Sequence, residues 1–333
     1  MRIAFLGTPD VAVPALEALL AAEDVEVAVV VTNPDRPRGR SKRPVPPPVK
    51  VAAQRAGVPV WQPEKPIEVV DELTALDLDA CAVVAYGALL PRRVLAAGGR
   101  GFVNLHFSLL PRWRGAAPVQ HALRAGDEVT GVTTFVLDPG MDTGPVLRTL
   151  EVAIDPDESA GELLDRLAVL GAPVLVDALR DLVAGLEPTP QPADGATLAP
   201  KIVRDDVAID LTATARAVAD LVRSADPAPG AHTTFRGEPL KVFRARPVPA
   251  DELAAASPGD GPADAAASPG DAPPEPGTIV AVDKRGAVVA CGDGAVRLVA
   301  VQPPGRARMD GAAFANGYRP EVGERLGDPA GAA

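Results

Sequence analysis

The first hundred residues carry short apolar runs, Arg2–Leu6, Val25–Thr32, Val58–Trp61 and Ala80–Ala85, interleaved with the helical patterns Ala12–Ala22 and Val49–Ala56. Runs of four to eight apolar residues between helical segments read as buried strands, and strand–helix–strand order builds βαβ units around a parallel sheet. Two further strands are expected at Gly101–Phe107 and Val132–Leu137, with helical character from Ala160 to Val183. The predicted class is therefore α/β, a doubly wound and mostly parallel sheet over residues 1–185.

A second architecture follows. Pro188, Pro190, Pro192 and Pro200, set among small residues, mark 186–200 as a linker between domains. Beyond Lys201 come five short strand candidates separated by turn signals: Gly230–Phe235, Pro239–Ala245, Thr278–Asp283, Ala287–Cys291 and Ala295–Val301. Five such strands suit a smaller β-barrel over 201–328. A chain of 333 residues with 47% hydrophobic content has enough material for two cores. Residues 251–276 interrupt the barrel pattern with Ala, Pro, Gly and Asp, and the motif Ala-Ala-Ser-Pro-Gly-Asp occurs at 255–260 and again at 266–271. That composition buries little apolar area, and a disordered acidic insertion is expected there.

The chemistry is concentrated in residues 101–120. Asn104 and His106 stand two apart in a predicted strand and so share a face. Pro111 then ends the strand in a loop carrying Arg112, Trp113 and Arg114. Open α/β sheets bind ligands at such strand ends. Downstream, Asp138-Pro-Gly-Met-Asp-Thr-Gly144 forms a glycine-bounded loop that can return Asp142 to the imidazole. Asn, His and Asp together suit acyl transfer. A carboxamide N–H stabilises charge developing on a carbonyl oxygen, a contribution of roughly 3 to 4 kcal/mol. Histidine, with its ordinary pKa near 6.5, takes or relays a proton from an attacking amine at neutral pH. A carboxylate fixes the ring or relays the proton through water. An Asn-x-His pair at a strand end is by itself more often structural; its company of loops sets this pair apart from His121, in a predicted helix, and His232, after Pro229-Gly230.

Other chemistries fit less well. Cys81 and Cys291 lack metal-ligand spacing, so neither a zinc site nor a disulfide is expected and a reducing compartment is natural. Gly7-Thr-Pro-Asp10 follows the first strand but lacks the spaced glycines of a dinucleotide fingerprint. No apolar stretch approaches the roughly 20 residues that cross a membrane, and a soluble, cytoplasmic protein is expected. The net charge of −11 argues against nucleic acid until its distribution is considered. Residues 33–50 hold six basic side chains, Arg36, Arg38, Arg40, Lys42, Arg43 and Lys50, against Asp35 alone. Residues 250–277 hold six acids and no base, and so account for more than half of the net charge.

Asn104-Leu-His106, Ser108-Leu-Leu-Pro-Arg-Trp-Arg-Gly-Ala-Ala-Pro118 and Asp138-x-Gly-x-Asp-Thr-Gly144 resemble the signature of the folate-dependent formyltransferases. The likeness runs through Met1–Asp10, the basic loop Asn33–Arg40, Ala85–Pro91, Ala199–Ile202 and Gln302–Gly305, and is specific because several motifs occur in order. It implies a Rossmann-like formyltransferase domain followed by an OB-like domain that grips tRNA. It also implies 10-formyltetrahydrofolate as donor, released as tetrahydrofolate, and the α-amino group of methionyl initiator tRNA as acceptor. Asn104, His106 and Asp142 become the catalytic residues. Tyr86, Gly87, Ser108, Leu109, Leu110 and Pro111 become folate contacts, and Arg36, Arg38, Arg40, Lys42 and Arg43 contacts to tRNA. No metal is expected, and the expected assembly is a monomer. Leu211 and Ala228 depart from the family by standing where it usually carries tryptophan, and Phe107 by replacing a small residue. The rival readings are transfer to another amine, such as glycinamide ribonucleotide or an amino sugar nucleotide, and a catalytically silent RNA-binding protein of the same fold.

Overall fold

The computed structural model describes residues 1–37, 43–256 and 274–327. Its chain divides into two units, the first formed by 1–119, 128–154 and 162–201, the second by 120–127, 155–161 and 202–333. Arg38, Arg40 and Lys42 of the basic loop, and residues 257–273 of the acidic insertion, lie outside the described residues.

In the first unit the strands are β1 (Arg2–Gly7), β2 (Glu26–Val31), β3 (Arg36–Pro37), β4 (Pro44–Val45), β5 (Val60–Trp61), β6 (Ala80–Val84), β7 (Phe102–His106), β8 (Val129–Val136) and β9 (Val146–Ala153). Helices α1 (Val13–Ala21), α2 (Pro48–Arg55), α3 (Val70–Ala75) and α4 (Arg92–Leu95) connect them and α6 (Ala160–Val183) follows β9, while α5 (Pro118–Arg124), which precedes β8 in sequence, falls mostly in the second unit. α2 starts on Pro48, whose missing N–H costs nothing at a first helical position. α6 is one continuous helix of 24 residues with Pro173 inside it.

Seven strands form one sheet in the order β5-β2-β1-β6-β7-β8-β9. Pairing is parallel from β5 through β7, then antiparallel through β8 and β9. The expected doubly wound, mostly parallel sheet is thus present. The chain runs outward from β1 to β2 and β5, then returns to lay β6 and β7 on the other side of β1. Strand direction of travel reverses there, and the carboxyl ends of these central strands open a crevice suited to a ligand. β1 and β6 are buried along nearly their whole length, as a sheet covered on both faces requires. β9 had no counterpart among the predicted strands. Most of its residues are exposed or half-buried, and it is charged at Arg148 and Glu151, so it shows no apolar run.

The second unit contains α7 (Ala215–Ser224), β10 (Ala231–Phe235), β11 (Glu238–Pro247), α8 (Ala250–Ala256), β12 (Ile279–Asp283), β13 (Gly286–Ala290), β14 (Ala295–Gln302), β15 (Met309–Asp310) and α9 (Gly311–Tyr318). Its strands are antiparallel, in the order β10-β11-β14-β13-β12, with β15 added to β14. The segment 323–327 then bridges the two edges. Phe235 pairs with Leu326, Thr278 pairs with Arg325, Gly327 N–H donates to Thr234, and Ile279 N–H donates to Glu324. Closure of this kind satisfies edge strands that otherwise expose unpaired backbone groups. Val222, Val242, Ile279, Val296 and Phe314 fill the interior, and Leu211 packs against it from the rim. α7 is capped by Thr214, whose hydroxyl accepts Ala217 N–H, and α9 by Asp310, which accepts Ala313 N–H.

Candidate active site

β7 ends with Asn104 and His106 at the crevice. The ladder sets Asn104 opposite Phe135 of β8 and His106 opposite Thr133, so both residues project to one face. That face borders a cavity of about 770 Å³ lined by Tyr86, Gly87, Leu90, Asn104, His106 and Asp142, among others. The lining is mainly apolar, the usual character of a small-molecule site with a few polar groups setting orientation. Leu89 and Met141, 80% and 65% exposed, stand at its edge.

His106 is buried, and its Nε2 lies 2.9 Å from the Trp113 carbonyl oxygen. A carbonyl only accepts, so Nε2 carries the proton and Nδ1 presents a lone pair. Asp142 Oδ2 is 3.7 Å from that Nδ1. The sequence expectation that Asp142 returns to the imidazole is met in position, but the gap is longer than a hydrogen bond. The same oxygen accepts the Gly115 N–H at 2.7 Å. Burial holds the His106 pKa below its ordinary 6.5, while Asp142 and the Trp113 carbonyl pull it upward. The net direction keeps the ring neutral near pH 7, with Nδ1 as a base. The Asn104 carboxamide has no hydrogen-bond partner among the described residues, so its donors are available to a ligand in the cavity.

The predicted contacts divide. Tyr86 and Gly87 line the cavity, and burial pushes the Tyr86 phenol up to about 12. Ser108, Leu109, Leu110 and Pro111 do not line it. Ser108 is fully buried, and its hydroxyl donates to the Arg112 carbonyl at 2.6 Å. Thr133 Oγ1 donates to Ser108 O and accepts Leu110 N–H, pinning this stretch to β8 behind the site. Phe107, by contrast, lines the cavity. Arg36 pairs with Val45 at the base of the two-residue ladder β3–β4, Arg43 precedes β4 at its other end, and both are exposed. Cys81 and Cys291 are buried, with thiols pushed up to about 12 and about 11 by burial. Among the described residues no group of three or more His, Cys, Asp or Glu is arranged to hold a metal.

Sequence reasoning missed the groups that support the site. Of six non-glycine residues with positive φ among the described residues, Ala85, Trp113 and Asp142 border the cavity or its histidine. Thr8 Oγ1 and Asn33 Nδ2 both donate to the Tyr86 carbonyl at 3.0 Å, fixing the turn after β6. Thr197 Oγ1 accepts the Trp113 N–H at 2.8 Å. None of these carries a local sequence signal, because each depends on a distant loop.

A family model described as formyl transferase matches residues 1–179, and one described as formyl transferase, C-terminal domain, matches residues 201–319. A methionyl-tRNA formyltransferase of Streptomyces coelicolor is 47% identical over 331 residues, covering 98% of this chain and 100% of the relative. The chain belongs to the methionyl-tRNA formyltransferase family. The one from Cutibacterium acnes is 45% identical, covering 98% of this chain and all of its own. At lower identity the fold is shared with HypX of Aquifex aeolicus in complex with tetrahydrofolic acid, at 18% identity and TM-score 0.60 over 99% of this chain and 49% of that one. It is shared also with an N-formyltransferase of Helicobacter canadensis, solved with folinic acid and dTDP-3-aminofucose, at 14% identity and TM-score 0.65 over 91% and 99% of the two chains. Membership makes the chain an enzyme of formyl transfer, and Asn104, His106 and Asp142 are read in that light below. Among the described residues no helix is long and apolar enough to cross a membrane.

Proposed function

We propose that this chain transfers the formyl group of 10-formyltetrahydrofolate to the α-amino group of methionyl initiator tRNA in the cytoplasm. The observation that carries the reading is the polar trio Asn104, His106 and Asp142 on one side of a largely apolar cavity, in a chain matching methionyl-tRNA formyltransferases end to end. The cavity fits the folate: its volume is that of a small-molecule site, Tyr86 and Gly87 follow β6 into it, and Leu89 and Met141 offer apolar surface to an aromatic ring. The folate donor supplies an electrophilic formyl carbon: the deprotonated amine bonds to it and gives up a further proton, the carbon's bond to the folate nitrogen breaks, and that nitrogen takes a proton, so that tetrahydrofolate leaves and one proton is released overall.

The residues then act as follows. His106 Nδ1 takes a proton from the acceptor ammonium, and Nε2–H stays on the Trp113 carbonyl. Asp142, at 3.7 Å, stabilises the imidazolium so formed, directly or through one water. Asn104 donates its carboxamide N–H to the formyl oxygen as negative charge develops there, a contribution of roughly 3 to 4 kcal/mol. Ser108–Pro111 support the site from behind. Arg36 and Arg43, with Arg38, Arg40 and Lys42 between them in sequence, form the tRNA contact, since such clusters bind phosphates.

The test is formyl transfer from 10-formyltetrahydrofolate to methionyl initiator tRNA, with methionyl elongator tRNA and free methionine as parallel acceptors. Transfer to the initiator species alone is expected. Transfer to none of the three by folded protein overturns the reading.

A further inference from the structure

The Pro-rich stretch 186–200, placed by composition between domains, groups with the first unit and is stitched along its loops. Thr189 pairs with Val146 by two backbone hydrogen bonds. Arg114 N–H donates to Thr197 O, Ala199 N–H donates to Arg114 O, and Ala117 N–H donates to Ala199 O. Between these anchor points stands Gln191, half-buried, with both ends of its amide engaged. Nε2 donates to the carbonyls of Asp142 and Gly144, each at 2.8 Å. Oε1 accepts from Arg114 Nε at 3.1 Å and Nη2 at 2.6 Å.

We propose that Gln191 is a positioning residue, one amide that locks the loop carrying Asp142 to the loop carrying Gly115 and so fixes the carboxylate against His106. Two observations favour this over a tether that merely packs the strap down. The backbone at Asp142 has φ 53°, a left-handed conformation that a non-glycine residue holds only when its surroundings enforce it. Gln191 grips the carbonyl of that very residue. The other contact of Asp142 within its own side chain's reach, Gly115 N–H at 2.7 Å, belongs to the residue after Arg114, which Gln191 also grips. One side chain therefore holds the carbonyl of Asp142 and the guanidinium of Arg114, the residue before the Gly115 that donates to the Asp142 carboxylate. The charge acting on the buried imidazole is that of Asp142, so its placement is felt at Nδ1.

The proposal rests on the formyl-transfer reading for its kinetic arm, and a second arm is independent of it. Gln191→Met keeps the side-chain length and removes every hydrogen bond; Gln191→Ala is the fallback if the first variant folds poorly. The full chain is assayed for kcat and both KM values, alone and in an Asp142→Asn background. The His106 imidazole is titrated by NMR without substrates, which is tractable because the chain has three histidines. His232, in β10, serves as the reference for intact folding. Expected are a kcat roughly 10- to 100-fold lower, the order that misplacement of a reacting group costs, with both KM values unchanged. Expected too are a His106 titration moved to lower pH and no added loss in the Asp142→Asn background. A His106 titration identical to wild type, or a Gln191 loss that multiplies with the Asp142 loss, overturns the clamp. If the wild-type chain transfers no formyl group, the functional reading fails and the imidazole titration alone decides the clamp.

Discussion

Replacing Asp142 by asparagine keeps the side chain's shape and removes one negative charge 3.7 Å from His106 Nδ1. At that separation a unit charge favours an imidazolium by about 4 kcal/mol for an effective dielectric near 20. The Asp142 side chain is 18% exposed and shares its oxygen with Gly115 N–H, so water and a competing donor reduce the effect. A retained effect of about 2 to 3 kcal/mol corresponds to a kcat lower by roughly 30- to 150-fold. The assay is formylation of methionyl initiator tRNA at saturating donor and acceptor, followed as a function of pH. The sign of the pH shift is set by the causes acting on His106: burial lowers its pKa and Asp142 raises it. Removing Asp142 leaves burial less opposed, so the His106 pKa falls further and the acid limb of the profile moves to lower pH while the plateau drops. An unchanged plateau refutes the role of Asp142. An acid limb that moves to higher pH refutes the assignment of the titrating base to His106.

Three further outcomes are expected. Gly115→Ala, at φ +125° with a new Cβ 2.7 Å from the Ala199 carbonyl oxygen, costs about 1 to 3 kcal/mol of strain, read as a lower melting temperature together with a lower kcat. Asp220→Asn weakens a pair in which Asp220 and Arg223 are 4% and 6% exposed and bonded at 2.8 Å, leaving Arg223 buried without a counter-charge; the cost is about 3 to 5 kcal/mol, read from the urea midpoint. Replacing Arg36 and Arg43 together by glutamine raises the KM for tRNA and flattens its salt dependence, while the KM for folate stays constant; an equal rise in both would remove the basic hairpin from the tRNA contact.

The sheet was legible because its central strands are apolar runs too short for anything else, and the position of Asn104 and His106 followed from the period of two in β7. Asp142 was found through its glycine-bounded loop. What was illegible shares a cause. β9 is half-exposed and charged, so its assignment depends on the partner β8 and not on its own pattern. The strap at 186–200 looks like a linker because prolines suit extended chain, and the contacts of Gln191 and Thr197 exist only once distant loops arrive beside them. Ser108–Pro111 match a family motif, and the bonds that fix the stretch, Ser108 Oγ to Arg112 O and Thr133 Oγ1 to Ser108 O, are not readable from that motif. The residues 323–327 that close the barrel are too few to register as a strand, and they act through pairing with two edges at once.

Backbone strain ties these missing pieces to the chemistry. A non-glycine residue at positive φ costs of order 1 to 3 kcal/mol and persists only where its neighbours overdetermine it. Each of the three beside the site meets that condition through side chains remote in sequence. The turn at Ala85 is held by Thr8 and Asn33 on the Tyr86 carbonyl. Trp113, at φ 62°, is held by Thr197 on its N–H and faces His106 with its carbonyl. Asp142 is held by Gln191 on its carbonyl and by Gly115 on its carboxylate. The strained carbonyl of Trp113 selects the histidine tautomer, and the strained backbone of Asp142 aims the charge. Preorganised dipoles act on a transition state without rearranging at the moment of reaction. On the mechanism proposed above, the side chains that hold them in place belong to the catalytic geometry, although they lie at positions 8, 33, 191 and 197, far in sequence from the motif that announces the site.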